Sequence, residues 1–292
     1  MYSLYKKTSF EKNLFLSPLL ETPDCPKELY VLGDLPEITS NTRVLTVVGS
    51  RKYTSYGKEV CQKLIAGLAG TDTIIVSGLA LGIDGIAHRA ALDAGLITVA
   101  VPGSGLSPKV LYPKSHYSLA KEIVERGGAL ISEYAPETNS MPYMFPARNR
   151  IMAGLSSAVL VIEAEEKSGT LITSKLATDY NRDVLTVPGN IFSDTAKGPH
   201  MLIRLGATPI TSVADLREAL GLERDTEENI QKVLPLEISS EEKKLLDILY
   251  EPKSRDTLLA EADMTTTETL MNISLLEIKG LVKEELGVIR RC

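Results

Sequence analysis

Three stretches of the chain combine glycine, hydroxyl and basic residues in the manner of anion-binding loops. They comprise Gly49, Ser50 and Arg51; Ser77, Gly78, Gly82 and Asp84; and Lys167, Ser168, Gly169, Thr170 and Thr173. Small residues at a strand-to-helix turn leave backbone N–H groups exposed at a helix N-terminus, where they can meet a phosphate. A single loop of this kind is equally well explained by a tight turn. Three such loops, with Arg51 and Lys167 adding charge, favour phosphate binding.

A fourth candidate group lies in the stretch FPARNRIMAGLS and consists of Arg148, Asn149 and Arg150. Pro146 is typical of a first helical position, which would put both arginines in the first turn of a helix. Each cation there costs about 0.3–1 kcal/mol because a helix N-terminus carries positive partial charge. Two explanations remain open at this point: a bound phosphate, or ion pairs with acids such as Glu133 or Glu163.

Two further positions allow both a structural and a functional interpretation. Phe145 precedes the basic turn and could stack on a nucleobase, with Tyr143 as a second candidate. It could equally be a hydrophobic staple that packs on its own helix. Asp84 and His88 lie four residues apart on a predicted helix and could form an acid/base pair. We favour the simpler interpretation, in which Asp84 caps the helix and orients its loop.

Several chemistries are disfavoured by the motifs that the sequence lacks. No G-x-G-x-x-G follows a predicted strand, and neither G-x-x-x-x-G-K-[ST] nor H-E-x-x-H occurs. No serine nucleophile elbow is present. The three cysteines and three histidines are too scattered for a zinc site. We therefore expect no dinucleotide, no metal and no other cofactor, and no catalytic residue.

The elements that must position these loops follow a regular alternation. Apolar, β-branched runs alternate with helical stretches, as in βαβ units of a parallel sheet. The runs are VLTVVG, TIIVSG, LITVAVPG, GALISEY, AVLVIEA and VLTVPG, with ATPI as a possible short seventh. The predicted fold class is α/β: a Rossmann-like parallel sheet with helices on both faces. Ligands of such sheets bind beyond the carboxyl ends of the strands, which is where the candidate loops lie.

Composition divides the chain into four predicted segments. Residues 1–40 form a lead-in segment that packs on the main domain, and residues 41–222 form the Rossmann-like domain. Residues 223–236 are a charged linker, and residues 237–292 form a small second domain. No apolar run has the length of a membrane span or the form of a signal peptide. We expect a soluble, cytoplasmic protein, and its net charge of −6 excludes nucleic acid only weakly.

The second domain has the pattern of a winged helix, with three helical stretches followed by a hairpin. It contains 12 acidic and 8 basic residues between positions 237 and 292. Its third helix, residues 265–279, offers only Asn272 in the middle as a side chain suited to reading a DNA groove. The pattern predicts a protein-interaction or regulatory role rather than sequence-specific DNA binding.

Six ordered motifs together resemble the family of DNA-processing protein A, also called Smf. They are VVGSRKYTSYG, SGLALGIDGIAHRAAL, FPARNRIMAGLS, EAEEKSGTLITSKLA, NRDVLTVPGN and GPHMLIRLGA. The resemblance covers about residues 28–220. It implies a Rossmann-like domain that binds single-stranded DNA, with Gly49–Arg51, Arg148–Arg150 and Lys167–Thr170 as the matching binding motifs. It also implies a homodimer that loads RecA during natural transformation and displaces single-strand-binding protein, without catalysis.

Two alternatives to this function remain from the sequence. The sheet architecture also resembles nucleotide N-glycosidases of the "lonely guy" type, which carry the motif P-G-G-x-G-T-x-x-E. The matching loop here reads EEKSGTLIT, which lacks two of the glycines and has Thr173 in place of the catalytic glutamate. That difference argues against the glycosidase. A nucleotide-binding sensor that signals through the winged helix is the second alternative.

Overall fold

The computed structural model describes residues 2–222, 239–285 and 287–291. The chain divides into two compact units, Met1–Arg224 and Asp225–Cys292. The predicted linker, residues 223–236, lies outside the described residues.

Unit one is built on a nine-stranded sheet with the order β1-β2-β6-β5-β4-β3-β7-β8-β9. Its strands are β1 Tyr2–Lys6, β2 Glu28–Gly33, β3 Arg43–Val48, β4 Thr73–Ser77, β5 Thr98–Ala100, β6 Ala129–Ser132, β7 Ala158–Val161, β8 Asp183–Thr186 and β9 Thr208–Pro209. Strands β3 to β9 run parallel to their neighbours within that group. The predicted parallel sheet is confirmed, including its short seventh run.

Helices cover both faces of this sheet. They are α1 Ser55–Ala66, α2 Ile83–Asp93, α3 Tyr117–Glu125, α4 Met144–Leu155, α5 Thr170–Asp179, α6 Lys197–Arg204 and α7 Val213–Ala219. Leu45 and Val47 of β3 belong to one apolar layer with Ile65 of α1, whereas Val48 belongs to another with Ile151 of α4. Alternation along one buried strand therefore supplies both cores, because successive side chains point to opposite faces.

The first forty residues contribute more than the packing that the sequence predicts. Strand β2 pairs antiparallel with both β1 and β6, so this segment extends the sheet at its β6 edge. In the stretch of chain that connects β1 to β2, Phe10, Phe15 and Leu19 are fully buried. Antiparallel strands need no crossover helix, so this segment has no βαβ pattern. Its sequence therefore did not predict that it joins the sheet.

Unit two contains the three helices and the hairpin that the sequence predicts. Its elements are α8 Ser240–Ile248, β10 Lys253–Ser254, α9 Arg255–Glu261, α10 Thr266–Ile278, β11 Val282–Glu285 and β12 Val288–Arg291. A small core of leucine and isoleucine side chains joins the helices to the three-stranded sheet. Helices α8 and α10 begin with capping boxes, Ser239 with Glu242 and Thr265 with Glu268, which satisfy the orphan amides.

Candidate nucleic-acid interface

A cleft of about 670 Å³ opens at the carboxyl ends of β3 and β7, which are neighbours in the sheet. From β3 the chain proceeds to β4 and β5 on one side, whereas from β7 it proceeds to β8 and β9 on the other. Such a switch point leaves a crevice because the two connections diverge. Predicted residues that line the cleft are Gly49, Ser50, Arg51, Asp84, Phe145, Arg148, Asn149, Ser168, Gly169, Thr170 and Thr173.

The first two loops are fixed by close backbone packing. A Cβ on Gly49 would lie 2.6 Å from Cγ1 of Ile83, and one on Gly82 would lie 2.3 Å from the carbonyl oxygen of Ser50. Gly82 also has a φ of +86°, which disfavours any side chain. The amide of Ile83 donates to the Ser50 carbonyl at 3.2 Å. Gly82 thus lies behind the cleft wall, where it allows the two loops to touch.

The third loop joins the first through a side chain. The Thr170 hydroxyl donates to the Gly49 carbonyl at 3.1 Å, and the Ser168 hydroxyl donates to Thr170 Oγ1 at 3.0 Å. The amides of residues 170, 171 and 172 donate to Ser168 Oγ, Ser168 O and Gly169 O. These amides already have local partners, so an anion at this loop would first meet side chains. Lys167 is exposed beside the loop but does not line the cleft.

Arg51 and Phe145 form the exposed side of the cleft. The guanidinium carbon of Arg51 lies 5.4 Å from the centroid of the Phe145 ring, a cation–π distance. Within the described residues no carboxylate forms an ion pair with Arg51. Phe145 is half-buried and meets the Tyr112 ring edge-on, with 5.5 Å between centroids. Its mixed environment leaves part of the ring facing the cleft.

The start of α4 differs from the prediction, and two interpretations change with it. The helix begins at Met144, so Arg148 and Arg150 lie in its second turn rather than its first. The expected dipole penalty is therefore wrong, because the effect is confined to the first turn. Phe145 is the second helical residue, not the residue before the cap, so the hydrophobic staple is also wrong.

Arg148 is buried, with only 5% of its surface exposed, and its guanidinium is fully engaged. It donates to the carbonyls of Gly78 and Val101, which follow β4 and β5. Its Nε donates to Asn149 Oδ1 at 3.1 Å, and its Nη2 lies 3.4 Å from Asp84 Oδ2. The guanidinium packs so closely on Gly78 that a Cβ there would lie 2.1 Å from it. Arg148 therefore ties two strand ends to α2 and α4.

Burial dominates the electrostatics of the Arg148–Asp84 pair. Desolvation raises the pKa of Asp84, and the neighbouring Arg148 works against that shift. Burial likewise lowers the pKa of Arg148. Asp84 accepts from the Ala80 amide at 3.4 Å, so it orients its loop as the sequence predicts. The predicted helix cap is wrong, because α2 begins at Ile83 with Gly82 as its N-cap and no side chain caps it. No hydrogen bond joins Asp84 to His88, and the acid/base interpretation has no support in the described residues.

His88 belongs to the core beneath the cleft. It is fully buried, and its Nδ1 is hydrogen-bonded to Thr98 Oγ1 at 2.7 Å. Burial, with His116 and Arg148 nearby, lowers its pKa to about 3. The His88 ring is therefore neutral at physiological pH, and it packs in the core rather than acting as a general acid.

For Arg150, the ion-pair explanation that the sequence left open is the correct one. Its guanidinium pairs with Glu133 and donates to the Asp24 carbonyl, which anchors the N-terminal segment. The other acid considered, Glu163, instead accepts from the Thr54 amide at 2.9 Å and from its hydroxyl at 2.6 Å. Arg150 does not line the cleft, and neither does Ser77, whose hydroxyl donates to the Val47 carbonyl.

Several cleft residues escaped the sequence analysis. Lys52 and Glu165 adjoin two of the loops, and Pro142, Met152 and Ile172 provide apolar surface. Lys52 follows Arg51 directly, so the extended basic run was available as a signal. The apolar lining residues could not be identified from the sequence, because core positions use the same residue types. Within the described ranges no helix is long and apolar enough to cross a membrane.

Comparison with known proteins assigns the family. The family model of DNA recombination-mediator protein A matches residues 6–221. Protein Smf of Escherichia coli is 42% identical over 202 residues, which span 69% of this chain and 53% of that protein. The chain thus spans about half the length of that relative.

Two solved structures share the fold. DNA processing protein A from Streptococcus pneumoniae has a TM-score of 0.67 at 36% identity, over 76% of this chain and 75% of that one. The Helicobacter pylori protein, described for its single-stranded DNA binding mode, has a TM-score of 0.63 at 28% identity, over 75% and 95%. The chain belongs to the DNA recombination-mediator protein A family.

Proposed function

We propose that this chain binds single-stranded DNA in the cleft between β3 and β7 and acts as a recombination mediator in the cytoplasm. The observation that carries the proposal is Arg51, an exposed cation without an ion pair among the described residues, held over the Phe145 ring. A cation beside an aromatic ring fits a nucleotide, because the cation can bind the phosphate and the ring can stack on the base. The single-stranded DNA binding mode described for the H. pylori relative supports the same choice.

The phosphate contacts fall to exposed side chains that line the cleft or lie beside it. Arg51, Lys52 and Lys167 are exposed, and the structure pairs none of them with a carboxylate in the part of the chain it describes. Ser168 and Thr170 add hydroxyl groups beside them. Arg148, Asn149 and Asp84 support this surface from behind, because their polar atoms already bond one another. We therefore assign direct phosphate contact to Arg51 before Arg148.

The experiment is a salt titration of oligo-dT binding to the full chain. Arg51→Gln should weaken binding and reduce the slope of log K against log salt by about 0.7, one phosphate contact on a single strand. Lys63→Gln, an exposed charge on α1, is the matched control and should leave both unchanged. If the unchanged protein fails to bind oligo-dT, or if Arg51→Gln binds as tightly, the proposal fails.

The cleft volume keeps the nucleotide-binding sensor as a second candidate, because about 670 Å³ is the size of a small-molecule pocket. The two functions separate by competition. A nucleoside monophosphate should displace oligo-dT only weakly if the cleft binds a strand through several nucleotides. Tight monophosphate binding without oligo-dT binding would favour the sensor, and release of free base from it would favour the glycosidase.

We further propose that the protein works as a homodimer that loads RecA onto incoming DNA during natural transformation and displaces single-strand-binding protein. The family membership supports this, and light scattering with a RecA strand-loading assay tests it.

Unit two, the predicted winged helix, is proposed to bind protein. Asn272 is buried and donates to the Glu268 carbonyl, whereas Met271 is 58% exposed on the same helix, α10. Duplex DNA binding that survives Arg51→Gln would contradict that role.

A further inference from the structure

Two exposed tyrosines follow the cleft wall directly along the chain. Lys52 lines the cleft, Tyr53 is the next residue, and Tyr56 lies in the first turn of α1. Tyr53 is 44% exposed and Tyr56 is 49% exposed, so nearly half of each residue's surface is open to solvent. Neither residue belongs to any of the three buried apolar clusters of unit one.

The backbone that carries these rings is held rigidly. Thr54 caps α1, its hydroxyl accepting from the Gly57 amide at 3.1 Å. The same residue donates through its amide and hydroxyl to the buried carboxylate of Glu163. A side chain on Gly57 would clash with that carboxylate, because its Cβ would lie 2.2 Å from Oε2. The segment between the cleft and α1 therefore has little freedom to rearrange.

Tyr56 is also fixed at its tip. Its hydroxyl donates to the Pro188 carbonyl at 2.8 Å, which orients the ring beside the strand end of β8. Burial, with Glu163 nearby, raises the pKa of this phenol, so it keeps its proton to donate. An exposed ring that is already oriented loses little conformational entropy when a flat partner stacks on it.

We propose that Tyr53 and Tyr56 form a second nucleobase-stacking subsite, which takes a base of the same strand beyond the nucleotide held at Arg51 and Phe145. The inference rests on the proposed function of the cleft. Aromatic faces accept any base, so this subsite would add affinity without sequence preference. Lys52, which lines the cleft and directly precedes Tyr53 in the chain, would supply the cation for the phosphate between the two bases.

The test compares two probes of about 15 nucleotides, oligo-dT and an abasic strand that keeps the phosphates. Tyr53→Leu and Tyr56→Leu, made singly and together in the full chain, remove the rings but keep apolar bulk. The double variant should bind oligo-dT at least about fivefold more weakly, the lower end for one stacked base. Its affinity for the abasic strand and its salt slope should not change. Tyr53→Phe keeps the ring and should bind normally, as should Tyr250→Leu, an exposed tyrosine of unit two.

The outcomes separate this inference from the function on which it rests. Normal oligo-dT affinity in the double variant, with Arg51→Gln still defective, overturns the stacking subsite alone. An equal loss for oligo-dT and the abasic strand also overturns it, because a stacking site cannot sense a strand without bases. If the unchanged protein binds neither probe, the proposed function falls and the subsite falls with it.

Discussion

Replacing Arg148 by methionine tests whether this residue supports the cleft or contacts DNA. The guanidinium donates to the carbonyls of Gly78 and Val101 and lies 3.4 Å from the Asp84 carboxylate. Methionine keeps an apolar stem of similar length but provides no donor and no charge. The substitution therefore leaves a buried carboxylate and two carbonyl oxygens without their partner.

The expected loss in the free energy of unfolding is about 3–5 kcal/mol, which is typical when one partner of a buried ion pair is removed. The two carbonyl groups would each add about 1–3 kcal/mol if they stayed unsatisfied. These costs are not additive, since Asp84 can take up a proton and donate to one of the carbonyls. We therefore expect the total to stay within the range for the ion pair.

The loss should depend on pH with a defined sign. Burial raises the pKa of Asp84, and Arg148 opposes that shift, so the pKa rises further in the variant. A carboxylate with a higher pKa in the folded state binds more protons folded than unfolded, so it stabilises the fold as the pH falls. The difference between wild type and Arg148→Met should thus shrink as the pH falls from 7 towards the raised folded-state pKa of Asp84 in the wild type, and stay constant below it, because both proteins then gain stability equally. Adding Asp84→Asn should recover part of the stability at pH 7.

Urea unfolding at several pH values measures these differences. Arg126→Met is the control and should unfold almost like wild type, because Arg126 is exposed and solvent screens its ion pair with Glu122. A loss below about 1 kcal/mol in Arg148→Met, together with weakened oligo-dT binding, would refute the reasoning. That result would make Arg148 an accessible phosphate ligand instead of a buried clamp.

Three further substitutions test other parts of the structure by urea unfolding. Gly82→Ala should destabilise unit one by about 1–3 kcal/mol or more, because φ is +86° and its Cβ would press on the Ser50 carbonyl; unchanged stability would contradict that packing. In wild type, the free energy of unfolding should fall as the pH drops from 6.5 to about 3, because only the unfolded histidine is protonated in that range. This histidine contributes at most about 1.4 kcal/mol per pH unit, and His88→Asn should remove that contribution. Lys279→Met should destabilise unit two by about 1.5–3 kcal/mol, because the Glu242 carboxylate, which has 1% of its surface exposed, loses a charge-assisted hydrogen bond; an effect near zero would mean that Glu242 reaches solvent.

The sequence predicted the parallel sheet and the meeting of its loops for a physical reason. Buried parallel strands need continuous β-branched runs, and the carboxyl ends of neighbouring strands share one edge. That logic brings Ser50, Asp84 and Thr170 to one cleft without any knowledge of distances. It fails for β1 and β2, because antiparallel edge strands carry no crossover helix to announce them.

The roles of the two arginines were beyond sequence reasoning. Whether Arg148 or Arg150 is free depends on which carbonyls and acids the fold places beside it. For Arg150 these are Glu133 and the Asp24 carbonyl, the latter 126 residues away along the chain. A helix start two residues earlier than Pro146 also moved both cations out of the first turn. Local patterns identify candidate cations, but tertiary partners decide which of them remain available.

The same distinction reconciles a net charge of −6 with the proposed binding to a polyanion. Arg89, Arg148, Arg150 and Arg182 each form an ion pair with a carboxylate, so they contribute little field to an approaching strand. Arg51 is exposed at the cleft, at an edge where the phosphates can reach it. Carboxylates more than about 8 Å from this edge contribute little there, because screening at physiological salt limits their reach. Glu165, which lines the cleft, offsets part of the charge of Arg51 and Lys52. The proposed DNA binding therefore depends on the exposed cations at the cleft, Arg51 and Lys52, more than on the charge of the whole chain.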